Sequence, residues 1–416
     1  MRATTLLNRL LGVEEVRVTS VEVDDDPASV VVVWLAWRNR RRRPSCPVCG
    51  HVAGRAYDQR TVDSTWRHLD LGGRRCEVRM RRRRLVCPEH GVVTEAVPFA
   101  RHKARFTAVF EDLVVWLTVH ADKTTVASFA RVAWRTVGAM CQRVSAELID
   151  QTRLEGLVEI GVDEISWRKH HKYLTLVTNH DDSTVVWGTA GRDADALGRF
   201  FTDLPPGGAE RIAAVSMDLG PAYAKAVREH APHATLCFDG FHVVQLATKA
   251  LDEVRRRQWR QARTLPDQDL AKELKGARWA LLKNPKDLTY NQAVTLARIR
   301  GAGGELARAH ALKEALRAVF AGDLEPAKVL DLLRRWCSWA SRCRIDEFVT
   351  VGRTISKHLD GITAAINRGL SNGRHEGLNS TIRTMFTRSR GFHSAEAALI
   401  LLACGPRQPQ LPYHTT

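Results

Sequence analysis

The sequence has no apolar run long enough to cross a bilayer, which takes roughly 20 residues, so a membrane-spanning protein is not expected. Its first residues, MRATTLLNRLLGVEE, pass from a short apolar patch straight into acid, unlike a secretory signal. Nine cysteines, an odd number without such a signal, argue against a disulfide framework. They point instead to the reducing cytosol, with metal ligation for some of them, and a cytoplasmic protein is expected. Acid is also scarce: 46 Asp and Glu stand against 63 Lys and Arg, a net charge of +17. That deficit calls for a polyanionic partner, either nucleic acid or a membrane surface. Between positions 38 and 105 there are 18 basic and 6 acidic residues. Clustering of this kind favours a nucleic-acid surface. At 44% hydrophobic the chain is globular, and 416 residues allow two or three domains.

Positions 157–172, LVEIGVDEISWRKHHK, organise the rest. An apolar, β-branched run reads as a buried strand, and it leads into Asp163 and Glu164. A carboxylate at the tip of a central strand is poorly placed for packing and well placed to hold a divalent ion. Glu164, one residue on, is expected to point to the other side of the strand.

Upstream, Cys46-Pro-Val-Cys49-Gly50 and Cys87-Pro-Glu-His90-Gly91 share one spacing and a trailing glycine. Two such knuckles can close on one zinc ion, so Cys46, Cys49, Cys87 and His90 are the expected structural site. Cys76, His51 and His68 lack the spacing. The flanking runs Arg40, Arg41, Arg42 and Arg43, and Arg81, Arg82, Arg83 and Arg84, are candidate phosphate contacts. Positions 124–144 have a helix–turn–helix rhythm, with Ala127 and Ala130 facing Val137 and Met140. Arg135, Thr136 and Arg143 are offered to DNA.

From Glu159 the pattern becomes three strands (157–163, 172–178, 184–190), a helix, a strand ending at Asp218, a helix, a strand ending at Asp239 and a long helix. This is the order of an α/β RNase H-like core. Positions 243–345 read as an all-helical insertion, with the run 255–257 a possible DNA patch and the tryptophans taken as core anchors. In SNGRHEGLNSTIRTMFTRSR (371–390), Glu376, Asn379 and Arg383 recur one turn apart, away from an apolar face of Leu378, Ile382, Met385 and Phe386. The expected domains are a β-rich zinc ribbon at 1–100, a helix–turn–helix at 101–152, core segments at 153–242 and 346–400 around the insertion, and a tail at 401–416.

Phosphodiester cleavage and strand transfer can use two divalent ions roughly 4 Å apart, held by carboxylates. Asp163 is the expected bridge. Asp218 and Glu376 complete the two shells, with Asp239 as a competitor.

The stretches GVDEISWRKHHKYLTLVTN, VSMDLGPAYAKAV, CFDGFHVVQLA and NGRHEGLNSTIR, with the two knuckles, resemble the DDE transposases of bacterial insertion sequences, of the ISL-three family. The resemblance spans about residues 40–400. It implies Asp163, Asp218 and Glu376 as an acidic triad using Mg²⁺ or Mn²⁺, a structural Zn²⁺, and supporting roles for Asp239 and His242. It also implies action on terminal inverted repeats and target DNA, by a homodimer. The family often has cysteine where this chain has His90. Two other functions compete with transposition. One is a catalytically silent, domesticated DNA-binding protein. The other is a nuclease of RNA–DNA hybrids, which would need neither the ribbon nor the helix–turn–helix.

Overall fold

The computed structural model describes residues 3–11, 15–26, 28–168, 172–264, 269–320, 324–370, 373–405, 409 and 411; the side chains of 3 and 373–376 are outside the description. Two compact units result. One comprises residues 1–150 with 384–416, the other 151–383.

In the first unit, α1 (Ala3–Leu11) leads into β1 (Val16–Glu22), β2 (Val31–Trp37), β3 (Thr61–Leu71), β4 (Arg74–Cys87) and β5 (Gly91–Thr94). Four strands run in the order β1-β2-β4-β3, and β5 pairs with the end of β4. Alternation along each strand explains the core: Val16, Val18, Val33, Leu35, Trp66, Cys76, Val78 and Met80 are buried on one face. Three helices follow, α2 (Ala108–His120), α3 (Lys123–Ala130) and α4 (Trp134–Leu148). Asp122 caps α3 by accepting from Thr125 N, and Arg131 ends it at φ 55°, in the left-handed region. Ala127, Ala130, Val137 and Met140 are buried, as the helix–turn–helix reading requires.

The second unit opens with β6 (Glu159–Arg168), β7 (Lys172–Asn179) and β8 (Val185–Ala190), then α5 (Ala194–Asp203), α6 (Gly208–Arg211), β9 (Ala214–Met217), α7 (Pro221–His230) and β10 (Thr235–Phe238). The sheet order is β10-β9-β6-β7-β8. The β6–β7–β8 meander is antiparallel, while β9 and β10 run parallel to β6. This is the strand order of an RNase H-like core. Next come α8 (Gly240–Ala262), α9 (Asp269–Gly276), α10 (Arg278–Leu282), α11 (Tyr290–Ala302), α12 (Gly304–Val319), α13 (Pro326–Arg342), α14 (Asp346–Lys357), α15 (Leu359–Arg368) and α16 (Gly373–Arg388), and the chain then returns to the first unit with α17 (Ala395–Cys404). Among the described residues the stretch from α8 to α13 is helical throughout, as read from the sequence. Its apolar faces join the same core as the sheet.

Several expectations change. Of the tryptophans, Trp336 is a core anchor that donates to Leu312 O at 2.9 Å, and Trp259 packs at the core's edge. Trp279 and Trp339 are exposed. The 255–257 run is structural: Arg255 and Arg256 pair with Asp252, and Arg257 pairs with Glu305 at 2.6 Å and Glu347 at 2.9 Å. The segment 346–400 is divided, because α17 packs on α2 and α4 in the first unit. Among the described residues no helix is long and apolar enough to cross a membrane.

Candidate active site, metal centre and nucleic-acid interface

β6 and β9 pair in parallel, with Gly161 opposite Ser216. Two residues further along each chain are Asp163 and Asp218, so the register brings both carboxylates to the same end of the sheet. Asp163 accepts from Glu164 N at 2.7 Å, and the Asn379 side chain donates to its Oδ2. Burial pushes the Asp163 carboxyl above its usual range, and the Asp218 charge adds to that. The Glu164 N–H, Asn379 and His242 pull the other way.

His242, in the first turn of α8, has Nε2 3.0 Å from Asp218 Oδ1. No other described group donates to that buried oxygen. Burial disfavours the His242 charge, but Asp218, Asp239 and Asp163 outweigh it and raise its pKa. Two acids brought to one end of the sheet, all-oxygen donors with a single histidine beside them, form a donor set that suits a hard divalent cation.

Asp239 caps α8, accepting from Phe241 N at 3.2 Å, so part of its role is structural. Asn379 is buried on α16, and Glu376 lies one turn earlier on the same helix. The Glu376 side chain falls outside the described residues. Arg383 is exposed.

Glu164 pairs with Arg192 at 4.0 Å, and Arg192 stacks over Tyr173, 4.5 Å from the ring centre. The sequence reading missed two pairs that brace the sheet: beside this end, Tyr223 OH lies 2.9 Å from Thr175 Oγ1 and is buried, and towards the start of β6 the half-buried His180 has Nε2 2.7 Å from Ser216 Oγ. Tyr223 sits two residues after Pro221 at the start of α7. Pro at that position marks the helix start but gives no sign of a buried hydroxyl.

In the first unit Cys46, Cys49, Cys87 and His90 converge, their ligand atoms all within 4.8 Å of one another. Cys49 Sγ is 3.4 Å from Cys87 Sγ, and His90 Nδ1 is 3.5 Å from Cys87 Sγ and 3.9 Å from Cys46 Sγ. Zinc bonds of about 2.0–2.3 Å at tetrahedral angles give separations of this order. The trailing glycines turn the chain at φ 74° (Gly50) and 66° (Gly91), a region that favours glycine. Cys76 is buried in the β-sheet core, away from this set.

The arginine runs divide into two kinds. Glu95 is fully buried and accepts from Arg83 Nη2 at 2.7 Å and Arg83 N at 2.8 Å, with Arg42 at 3.6 Å. Arg42 also stacks on Trp37. Arg82 donates to Ser64 and to Glu95 O, and Arg84 pairs with Asp58. These four are committed to the fold. Arg40, Arg41 and Arg43 are exposed, as is Arg81, whose pair with Asp63 lies at the surface. On α4, Arg135 is exposed and Thr136 half-buried, but Arg143 is held by the buried Glu111. Arg143 is therefore a poor candidate for reading DNA.

Three family models match in chain order. A zinc-finger model of IS204/IS1001/IS1096/IS1165 transposases covers residues 42–90, a helix-turn-helix model of transposase family ISL3 covers 95–145, and a transposase model covers 160–401. The chain belongs to the ISL3 transposase family. It is 40% identical to the "Transposase for insertion sequence element IS1557" of Mycobacterium tuberculosis, strains CDC 1551 / Oshkosh and ATCC 25618 / H37Rv, over 99% of this chain and 98% of each relative. It is 28% identical to the "Transposase for insertion sequence element IS1001" of Bordetella parapertussis, over 94% of this chain and 95% of that one. An ISL3 transposase with this helix–turn–helix is a DNA-binding protein of transposition.

Proposed function

We propose that this ISL3 transposase binds the terminal inverted repeats of its element, cuts strands there and joins the freed 3′-hydroxyls to target DNA. Asp163, Asp218 and Glu376 are the proposed acidic set for Mg²⁺ or Mn²⁺. The observation that carries the reading is the approach of Asp163 and Asp218 at one end of the sheet, with His242 the one described group within reach of the buried Asp218 oxygen.

Bound divalent ions supply charge stabilisation for the attacking and leaving oxygens. The chain's own residues set the stage for that. Asn379 orients Asp163 through its Oδ2. His242, its charge favoured by three acids, offsets part of their mutual repulsion and holds Asp218. No covalent nucleophile is required of the protein, since water or a DNA 3′-hydroxyl attacks. Cys46, Cys49, Cys87 and His90 hold a structural Zn²⁺ that closes the ribbon, and the working form on DNA is a homodimer.

The reading is tested by strand cleavage of a duplex carrying the element's ends, with Mg²⁺ present. Asp163→Asn and Asp218→Asn each abolish cleavage while end binding persists. Parent-level cleavage by either variant refutes the assignment. If the parent binds ends but cuts nothing under any divalent ion, the silent DNA-binding alternative takes its place.

A further inference from the structure

The three matched family ranges begin at position 42, so β1 and β2 lie outside all of them. These strands nevertheless build half of the four-stranded sheet. Its inner face is apolar, and alternation turns Arg17, Thr19, Trp34, Ala36 and Arg81 to the other face. Arg17 is opposite Ala36, and continuing the Leu35–Met80 pairing by one residue puts Ala36 opposite Arg81. Two guanidinium stems thus flank a small residue, roughly 10 Å apart at ordinary strand spacing.

Arg40 follows the end of β2, beside the start of β1 where Arg17 sits, because Val16 pairs with Trp37. A groove of about 560 Å³ on this face is lined by Arg17, Thr19, Ser20, Trp34, Arg40 and Arg81. Arg17 and Arg40 are exposed and have no ion-pair partner among the described residues. Glu95 also borders the groove, but it is paired with Arg42 and Arg83. The three acids at 24–26 lie in the turn at the far end of the β1–β2 pair. Glu22 accepts from the Trp34 indole, Thr19 donates to Trp34 O and Asp63 pairs with Arg81, so the unpaired charge at the Arg17 end of the face is that of Arg17 and Arg40.

We propose that this face of the sheet is a second DNA-docking surface, which grips the duplex backbone beside whatever the helix–turn–helix reads. The proposal rests on the DNA-binding reading above and adds a site to it. Free guanidiniums grip phosphates without regard to sequence, so the face contributes affinity and salt dependence, not end recognition.

The test uses the full chain with zinc and two labelled duplexes, one carrying the DNA that flanks the coding sequence and one of scrambled sequence. Affinity is measured by fluorescence anisotropy across a salt series. Arg17→Gln with Arg40→Gln weakens both duplexes alike and lowers the log–log salt slope by about 2, at roughly 0.9 per phosphate contact. Ser20→Lys, on the same face, raises the slope by about 1, a gain that misfolding does not mimic. Arg135→Ala on α4 instead narrows the preference for the flanking sequence. Unchanged slopes in both sheet variants overturn the proposal and leave the helix–turn–helix reading intact. If the sheet variants change self-association and not the slope, the face joins copies of the chain and the proposal falls. Absence of salt-dependent binding by the parent overturns the DNA reading and this proposal together.

Discussion

Asn379 donates its side-chain amide to Oδ2 of Asp163, joining α16 to β6 across 216 positions of sequence. Asn379 is buried and Asp163 half-buried, so the contact restrains the carboxylate and also partly offsets the cost of its charge. Hydrogen bonds to charged groups contribute about 1.5–3 kcal/mol. Asn379→Ala should therefore slow cleavage by roughly 10- to 100-fold, with end binding unchanged and part of the loss recovered at high Mg²⁺. Cleavage equal to the parent's across a Mg²⁺ titration would remove Asn379 from the site.

The zinc site makes a second prediction. Purified protein should carry one zinc per chain by elemental analysis. Cys49→Ser or exhaustive chelation should release it and loosen the ribbon, because the Cys46–Ala53–Leu85–Cys87 cluster is too small to hold itself together. Limited proteolysis should then cut first between 42 and 90. Stoichiometric protein free of zinc with an intact ribbon would contradict the assignment.

Glu95 offers a test of the arginine division. Its carboxylate is fully buried and serves Arg83, Arg42 and the Trp37 indole. Glu95→Ala leaves two guanidiniums facing an empty site, a loss of about 3 kcal/mol on the scale of broken buried pairs. Denaturant unfolding of the first unit should show it. If Glu95→Ala is as stable as the parent while DNA binding weakens, Arg83 belongs to the DNA surface after all.

Two histidines set an acid limit. Burial pushes His310 down to about 4, helped by Lys313, Arg300 and Arg317 against Glu314. Burial with Arg67 nearby takes His68 to about 4 as well. In both, the native state holds the neutral ring while the unfolded chain protonates near 6.5. The unfolded state thus binds more protons between pH 6.5 and 4, and stability falls as pH drops through that window. The loss is roughly 2 kcal/mol per histidine by pH 5. Urea unfolding at pH 7 and pH 5 checks it, and His310→Leu should flatten the slope for the second unit. A parent equally stable at both values would contradict the burial argument.

The legible parts of this molecule were those encoded locally. Strand β6, the ends of β9 and β10, the capped helices and both knuckles each announce themselves within a dozen residues. The helical stretch after β10 also follows from periodicity alone. What stayed hidden depends on partners remote in sequence. Arg42 and Arg83 look like phosphate contacts until Glu95 is seen between them. Arg143 looks like a reading residue until Glu111 takes it, and the 255–257 run until Glu305 and Glu347 close on Arg257. Charge runs report how many arginines there are, not which are already spent. The Tyr223–Thr175 and His180–Ser216 pairs were hidden for the same reason, since a hydroxyl's partner cannot be read from spacing. α17 falls within the expected core segment 346–400, yet its all-round apolar surface packs with α2 and α4.

The most direct test of the acidic set is Glu376→Gln, which keeps the shape of the side chain and removes its charge. The assay is Mg²⁺-dependent cleavage of a duplex bearing the element's ends, read alongside end binding. The account predicts that the variant binds ends as the parent does and cuts at least 100-fold more slowly, on the order of a lost ion contact. A variant that cuts as fast as the parent contradicts it, and the third ligand must then be sought at Asp239.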